Sequence, residues 1–287
     1  MVEVVVLGVL AVAAAVLSGA FAGRPAAPFQ EAVRLLTLQR RVTPASDRPL
    51  TKIGVVSLPV AAALAALVVP LGGRAAVGSD VGVVWFNAME VVAWGSVWLA
   101  GWGVNSAYAL AGGYRYLAQG LAYELPHMFA LITAALGAHS LDLRVIAAAQ
   151  DGLWFAVWMP VAFAVYLVSA AAMAFWGPFG HPVGGDLAGG AAAELSGPDR
   201  LVFLAGRYGL LTVASAAAVP LFLGGGAGPL LPDRVWSLVK ACAVLALLVW
   251  TRGRVPTLRM DRFMTAAWTV LIPAVLLQML VVGIVVV

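Results

Sequence analysis

Long uninterrupted apolar runs are the feature that most constrains this chain of 287 residues. A helix of about 20 apolar residues crosses the hydrocarbon core of a bilayer. Eight segments fit that length, with predicted bounds 2–22, 53–71, 81–103, 117–138, 152–176, 201–223, 235–251 and 263–287. With 63% hydrophobic and only 10% charged residues, a cytosolic enzyme, a nucleic-acid module and a disordered chain are excluded. We therefore predict an all-α, polytopic membrane protein, with about eight transmembrane helices in a single membrane domain over residues 1–287.

The basic residues predict the orientation of these helices. Cytoplasmic loops of membrane proteins carry an excess of Lys and Arg. One set of loops contains most of them, with clusters in 24–52 and 252–262 and further arginines at Arg115, Arg200 and Arg207. The opposite loops contain only three, Arg74, Arg144 and Arg234. We expect a multi-pass protein of the cell (inner) membrane, with both termini outside the cytoplasm. The net charge of +4 then reflects basic loops, and no nucleic-acid partner is expected.

Two cytoplasmic segments are more than connectors. In the segment 24–52, residues 28–41 (PFQEAVRLLTLQRR) place apolar side chains beside arginines. This pattern predicts an amphipathic helix in the headgroup plane, and a simple basic anchor is an equal alternative. Residues 177–200 form the longest polar stretch, rich in Gly and Pro. A loop of this length is often functional.

Ionisable residues inside a membrane are costly and usually functional. Glu90 lies in the middle of a predicted span, and Glu124 lies near the start of another, two residues before Pro126. A buried carboxylate beside a loosened helix turn is a candidate proton site. Alternatively, Glu124 is an interfacial carboxylate paired with Arg115. Lys240 is a partner for an intramembrane acid, or it reaches toward the interface.

Histidine, cysteine and cofactor motifs add little. His127 follows Glu124 by three residues and shares its helix face. The two side chains could therefore relay protons. A hydrogen bond within a helix interface is the more common role of such a histidine. The three histidines lie far apart, Cys242 is the only cysteine, and no nucleotide-binding motif is present. We predict no metal site and no catalytic residue in this chain, so any redox cofactor belongs to a partner.

A specific family resemblance lies at residues 101–124, which read GWGVNSAYALAGGYRYLAQGLAYE. This stretch closely resembles the signature of the H subunit of complex I, the proton-translocating NADH–quinone oxidoreductase (the complex I subunit 1 family). The matching positions include Gly101, Trp102, Asn105, Tyr108, Arg115, Gln119, Tyr123 and Glu124.

Further stretches resemble the same family in the same order along the chain. Residues 178–197 resemble its acidic loop, 221–232 its Leu-Phe-Leu-Gly-Gly stretch and 256–273 its final motif; Lys240 fits a lysine expected in the helix between them. Near the start, Arg24, Pro25, Gln30 and Leu35 resemble the family's amphipathic segment. The loop has fewer acids than the family's, with Gly180 in place of an Asp, and Thr257 stands where the family has Arg.

The resemblance implies functional residues as well as a fold. Members of the family contribute to a quinone chamber, where a quinone head needs a few polar contacts and its tail an apolar tunnel. The implied chamber residues are Arg24, Gln30, Arg34, Phe179 and Asp186. The implied proton-path residues are Glu124, Glu194, Asp186, Glu90 and Lys240, although Glu90 matches no family position with confidence.

The resemblance also implies cofactors and partners. Quinone is the expected substrate, iron–sulfur clusters are expected on partner subunits, and flavin is expected there if an NADH-oxidising module is present. The other membrane and peripheral subunits of a complex I-type enzyme, together with the bilayer, are the expected partners. Two alternatives stay open. One is the homologous anchor of a group 4 energy-converting hydrogenase, and the other is a stand-alone transporter.

Overall fold

The computed structural model describes residues 2–286. In that range the chain is 74% helical and contains no β-strand, which confirms the predicted all-α class. The helices are α1 (Val2–Phe21), α2 (Ala27–Thr37), α3 (Arg48–Ala66), α4 (Gly82–Gly103), α5 (Ala107–Ala138), α6 (Leu143–Ala148), α7 (Phe155–Trp158), α8 (Pro160–Met173), α9 (Gly197–Phe222), α10 (Asp233–Thr251), α11 (Met260–Ala266) and α12 (Ile272–Val286).

Seven helices in the described range are long and apolar enough to cross a membrane. They are α1, α3, α4, α5, α9, α10 and the continuous run Met260–Val286. Of these, α9 is the most enclosed; it packs against α1, α3, α8 and α10. The core of the protein therefore surrounds α9, and α1 and α12 lie at its periphery.

The predicted span at 152–176 is the one that the structure corrects. It is divided into α7 and α8, and α8 has only 14 residues, about 21 Å of helix. The cause is Pro160, which lacks a backbone N–H and disfavours helical geometry at the residue before it. Met159 accordingly has φ −117° and ψ 51°. Among the described residues, the structure thus has seven long helices and one shorter apolar helix where eight membrane-spanning helices were predicted.

Other boundaries differ from the prediction because helices extend beyond the apolar core. Helix α5 has 32 residues and begins at Ala107 rather than at 117, so the polar part of the 101–124 motif is helical too. Helix α3 begins at Arg48 rather than at 53, where the Asp47 carboxylate accepts a hydrogen bond from the Leu50 amide (3.1 Å). A side chain that accepts from a free N-terminal amide stabilises a helix start at that residue.

The last helix contains a π-helical turn at Ala267–Leu271, between α11 and α12. Pro273 lies two residues after this turn, and a proline removes one donor from the helical hydrogen-bond ladder. A wider turn accommodates that missing bond without ending the helix. The predicted span 263–287 is therefore observed as one run that begins three residues earlier, at Met260.

The amphipathic segment folds as α2, which ends at Thr37, so Arg40 and Arg41 of the predicted 28–41 helix lie beyond it. Leu35 is fully buried where α2 packs on α9, whereas Phe29, Val33 and Leu36 are exposed. One side of α2 therefore holds the helix to the protein, while its outer side presents apolar groups, as expected at a lipid interface.

The polar loop 177–200 is ordered as a series of short turns. Four 3₁₀ turns occupy Gly177–Phe179, His181–Val183, Gly185–Leu187 and Gly190–Ala192. The last of them packs against α5 at Gly112, where a Cβ atom would overlap the backbone of Gly190 and Ala191. The 101–124 motif thus provides the surface on which this loop folds.

Candidate functional site

A polar cluster joins α4 and α5; Glu90 and His127 in it are buried, and Asn87 and Glu124 are half-buried. It consists of Asn87, Glu90, Glu124 and His127, which lie on facing sides of the two helices, within one turn on each. The Nδ2 atom of Asn87 donates to Oε1 of Glu124 at 2.9 Å. The other Glu124 oxygen is buried with no hydrogen-bond partner among residues 4–286. The predicted alternative for Glu124, an ion pair with Arg115, is therefore not formed.

The second half of this cluster is the pair Glu90 and His127. Nε2 of His127 lies 3.5 Å from Oε1 of Glu90, with 0% and 2% of the two side chains exposed. The centre of the imidazole ring also lies 6.3 Å from that of Phe86 and 5.1 Å from that of Tyr166. The sequence placed His127 on the face of Glu124, but the structure turns its ring toward Glu90. A mid-membrane carboxyl group therefore has an imidazole as its neighbour.

Asp186 and Glu194 connect the polar loop to the signature motif. Nη1 of Arg115 donates to Oδ2 of Asp186 at 2.6 Å, and Ser106 Oγ donates to Oε1 of Glu194 at 3.0 Å. The hydrogen bond from Arg115 lowers the pKa of Asp186 below its usual value. The structure thus ties both loop acids to the N-terminal part of α5 and separates them from the polar cluster.

Lys240 contacts no carboxylate within the described residues. Its Nζ atom donates to the carbonyl oxygens of Leu223 (2.7 Å), Gly225 (3.0 Å) and Ala227 (2.8 Å). The same ammonium lies 4.5 Å from the ring centre of Trp154. A cation is favourable at the C-terminus of a helix, here α9, because carbonyl groups without helical partners are exposed there. Lys240 therefore caps the end of α9 and does not pair with an intramembrane acid among the described residues.

The C-terminus of α8 is capped in the same way by α5 and α9. Tyr116 Oη donates to the carbonyl of Met173 (2.6 Å), and Gln119 Nε2 donates to that of Ala172 (2.7 Å). Arg207 of α9 donates to the next two carbonyl groups, those of Ala174 and Phe175. Gln119 of the motif therefore satisfies one of the buried carbonyl groups that would otherwise be costly in a membrane.

An apolar cavity of about 910 Å³ lies between α1, α2, α3, α9 and α10. Its walls are mainly aliphatic, including Leu7, Val12, Ala62 and Val213. The ionisable and hydroxyl groups that line it are few: Ser18, Glu31, Arg207, Tyr208 and Arg252.

The residues predicted for the chamber are divided between two places. Arg24, Gln30 and Arg34 lie on or beside α2, next to the cavity but outside its lining. Arg34 binds Glu31 through two hydrogen bonds (2.7 and 2.6 Å), which lower the pKa of Glu31. Phe179 is buried against Phe263 with ring centres 4.6 Å apart, and Asp186 lies in the polar loop against α5. Only the α2 group therefore borders the cavity.

The remaining motif residues have structural positions. Gly101 lies so close to the Ala109 carbonyl that a Cβ would overlap it. Asn105 takes the left-handed conformation (φ 49°) between α4 and α5 and donates to the Pro44 carbonyl at 3.3 Å. Tyr123 accepts a hydrogen bond from Trp94 at 2.9 Å. Much of the motif thus serves the tight packing of α4, α5 and the polar loop; the side chains of Trp102 and Tyr108 are instead exposed.

Sequence reasoning missed four residues that the structure places at these sites: Asn87, Trp176, Arg207 and Arg252. Arg207 is almost completely buried within α9, although the sequence assigned it to a cytoplasmic loop. An arginine inside an apolar run was the available signal. No group of three His, Cys, Asp or Glu suited to a metal ion was found in the part of the chain that the structure describes.

Comparison with known proteins agrees with this architecture. A family model described as NADH dehydrogenase matches residues 19–283. The NADH-quinone oxidoreductase H subunit 2 of Geobacter sulfurreducens is 37% identical over 267 residues, covering 89% of this chain and 81% of that protein. The H subunit 1 of Geobacter metallireducens is 36% identical over the same shares. The H subunit 2 of Rhodopseudomonas palustris is 35% identical over 262 residues, covering 90% and 81%.

Proposed function

This chain belongs to the NADH dehydrogenase (complex I subunit 1) family, and we propose that it forms the quinone chamber and the start of the proton path in a proton-translocating NADH–quinone oxidoreductase. It is a multi-pass membrane subunit of such an oxidoreductase complex. The complete reaction needs partner subunits, which carry the iron–sulfur clusters and, with an NADH module, the flavin. The relatives carry the name of the quinone enzyme, which favours this function over a hydrogenase anchor.

The apolar cavity is the observation that carries the quinone proposal. An isoprenoid tail requires a long apolar channel with few polar groups, and the cavity between α1, α3 and α9 has that character. The amphipathic helix α2 borders it, and Arg24, Gln30 and Arg34 lie on or beside this helix. The tail would lie along α1 and α3, and these polar groups of α2 would meet the head as it enters.

The proton-path proposal rests on the acids of α5, α4 and the polar loop. Quinone reduction takes up two protons and transiently develops negative charge, to which nearby carboxyl groups respond by changing protonation. Asp186 and Glu194, at the cytoplasmic end of α5, would be the first carboxyl groups to change protonation. Glu124 and Glu90 are the deeper members, with Asn87 and His127 as their neighbours. Lys240 is left out because three carbonyl groups occupy its ammonium.

The placement in the cell follows from the charge pattern. We infer a cell-membrane location with both termini outside the cytoplasm, since the basic loops then face inward. The polar loop and α2 would meet the peripheral subunits on the cytoplasmic side, and the long helices would meet lipid and the other membrane subunits.

A bulky residue in the cavity tests the quinone proposal. Gly8 lines the cavity, and a Cβ atom at this position would meet no other atom within 4 Å. Gly8→Phe should therefore fill part of the channel without disturbing the helix packing. We expect the KM for a long-tailed quinone to rise by about tenfold, which corresponds to about 1.4 kcal/mol of lost binding.

Gly95→Phe is the matched control. A Cβ at Gly95 on α4 also meets nothing within 4 Å, and Gly95 does not line the cavity. The two variants should assemble to the same level, and Gly95→Phe should keep the normal KM. Equal quinone kinetics in both variants and the unmodified complex would reject the cavity as the quinone channel.

A further inference from the structure

Two guanidinium groups contact one buried indole at the edge of the cavity. The Cζ atoms of Arg207 and Arg252 lie 4.9 and 5.0 Å from the ring centre of Trp176. Trp176 is fully buried, while both arginines line the cavity. Cations are attracted to the face of an aromatic ring. The indole therefore holds two positive charges at the same end of an apolar space.

Neither arginine is neutralised by a carboxylate. Among residues 4–286, whose side chains the structure describes, no Asp or Glu oxygen forms an ion pair with Arg207 or Arg252. Arg207 instead donates to the carbonyl groups of Ala174 and Phe175, and Arg252 donates to Ser18 Oγ at 3.1 Å. Arg207 is buried, so its cation carries a large desolvation cost without an anionic partner, whereas Arg252 remains exposed.

The rest of the cavity wall does not balance this charge. Glu31 is the only acid that lines the cavity within the described range, and two hydrogen bonds from Arg34 already neutralise it. The cavity wall therefore carries two positive charges that no carboxylate neutralises. They lie close together around Trp176. The charge pattern is complementary to an anion and not to a neutral ligand.

The two arginines lie where several helices end, a position expected near lipid headgroups. Arg252 is the C-terminal cap of α10, Ser18 lies in the last turn of α1, and Trp176 follows the end of α8. Three helices thus end around this site on the same side of the protein. From there the aliphatic wall continues along α1 and α3, past Leu7 and Ala62.

We propose that an anionic phospholipid binds here, with its phosphate between the guanidinium groups of Arg207 and Arg252 and one acyl chain along α1 and α3 in the cavity. Guanidinium groups bind phosphate oxygens through charge-assisted hydrogen bonds, and the adjoining aliphatic wall favours a lipid over free phosphate. This inference goes beyond the proposed function, because it depends only on the charge and shape of the cavity. Where a quinone tail enters the same cavity, the lipid occupies its charged end.

A photo-crosslinking experiment on the purified, assembled complex tests the proposal. Phosphatidylglycerol with a diazirine in its acyl chain is titrated into the complex without quinone, and adducts on the peptide of α1 that lines the cavity are quantified by mass spectrometry. Phosphatidylcholine with the same chain is the neutral comparison. We expect half-maximal labelling at about tenfold lower phosphatidylglycerol concentration, because its headgroup has a net negative charge that both guanidinium groups attract, whereas the phosphatidylcholine headgroup has no net charge.

Arg252→Gln and Arg254→Gln form the matched pair of variants. Arg252 is solvent-accessible and its side chain hydrogen-bonds only Ser18, so its replacement should leave the fold intact. Arg254 is two residues away, lies over Trp250 and does not line the cavity. Arg252→Gln should abolish the preference for phosphatidylglycerol, and Arg254→Gln should keep it.

Three results would overturn the proposal. One is equal labelling by the two lipids, a second is an equal effect of the two variants, and a third is displacement of the lipid by millimolar inorganic phosphate alone. The crosslinking experiment uses neither quinone nor turnover. A negative result would therefore reject the lipid site without deciding the Gly8→Phe test of the quinone channel.

Discussion

His127 Nε2 lies 3.5 Å from Glu90 Oε1 in the interior of the helix bundle. Neither carboxylate oxygen of Glu90 and neither ring nitrogen of His127 has a hydrogen-bond partner among the described residues. The two groups can share one proton, as a carboxylic acid beside a neutral imidazole or as an ion pair. A single charge on either one would be uncompensated, and such a charge is costly in a buried site. The pair therefore behaves as one unit.

The first prediction measures this coupling with Glu90→Leu, His127→Leu and the double variant. Each single variant leaves the other polar group buried without its neighbour, at a cost of about 1–3 kcal/mol. The double variant should be less destabilised than the sum of the singles, with a coupling of about 1 kcal/mol or more. Thermal unfolding of the assembled complex is the measurement. Strict additivity would show that the two side chains do not interact.

The second prediction concerns Glu124 and proton translocation. Glu124→Gln keeps an oxygen that can accept from Asn87 Nδ2, but it removes the proton-binding group. We expect normal assembly and a lower proton-to-electron ratio in reconstituted vesicles. Asp151→Asn, on an exposed loop, is the control and should keep the ratio. An unchanged ratio in Glu124→Gln would remove this residue from the proton path.

The third prediction compares two adjacent glycines of α5. A Cβ at Gly112 would overlap the backbone of Gly190 and Ala191, whereas one at Gly113 would meet Trp98 at 3.4 Å, an ordinary contact distance. Gly112→Ala should displace the polar loop and cost about 1–3 kcal/mol. Gly113→Ala should cost much less. Thermal stability and protease sensitivity of the 177–200 loop distinguish the two, and equal behaviour would contradict this packing.

The fourth prediction is a pH dependence of the loop at Asp186. The hydrogen bond from Arg115 lowers the pKa of this carboxyl group below its ordinary 3.8. A lowered pKa means that the stabilising contribution is present above the ordinary value and is lost as pH falls through the lowered one. The pair is largely solvent-exposed, so the effect is expected to be local and small.

Hydrogen exchange of loop amides provides the measurement for this pair. At pH 6 the loop should exchange more slowly than in Asp186→Asn, and the difference between the two should shrink at pH 4 and below. Comparison at each pH cancels the intrinsic pH dependence of exchange. A difference that is constant with pH would assign the protection to contacts other than the ion pair.

The fifth prediction separates capping from proton transfer at Lys240. Lys240→Met removes the donor for three carbonyl groups at the end of α9, and each buried group left without a partner costs about 1–3 kcal/mol. The complex should lose thermal stability, while its proton-to-electron ratio stays normal. A reduced proton-to-electron ratio in a stable Lys240→Met complex would show instead that Lys240 takes part in proton transfer.

The sequence was informative wherever one property of a single segment decided the structure. The apolar runs predicted all of the long helices, most of them within a few residues, because a bilayer requires helical hydrogen bonding within each segment. The motif at 101–124 led to the family. The division at Pro160 was missed because a sliding count of apolar residues ignores a missing amide hydrogen. The extension of α5 to Ala107 was missed because polar helix turns outside the hydrocarbon core carry no hydropathy signal.

The pairing of polar groups was beyond the sequence. Arg115 was weighed against Glu124, nine residues away, yet it binds Asp186, 71 residues away. Lys240 was expected near an acid, and it caps backbone carbonyl groups that are exposed only because α9 ends beside it. Arg207 was assigned to a loop, and it lies within α9 against Trp176. In each case the partner comes from a different helix or loop, so local spacing carries no information about it.

Composition, segment length and one contiguous motif were thus enough to establish the solvent of this protein, its helical class and its family, because each of these is a property of the linear chain. That Glu90 meets His127, that Glu124 meets Asn87 and that two arginines share Trp176 became known from the folded molecule alone. A buried polar group must find its partner in space, and the packing of α4, α5, α8 and α9 determines which groups come within reach.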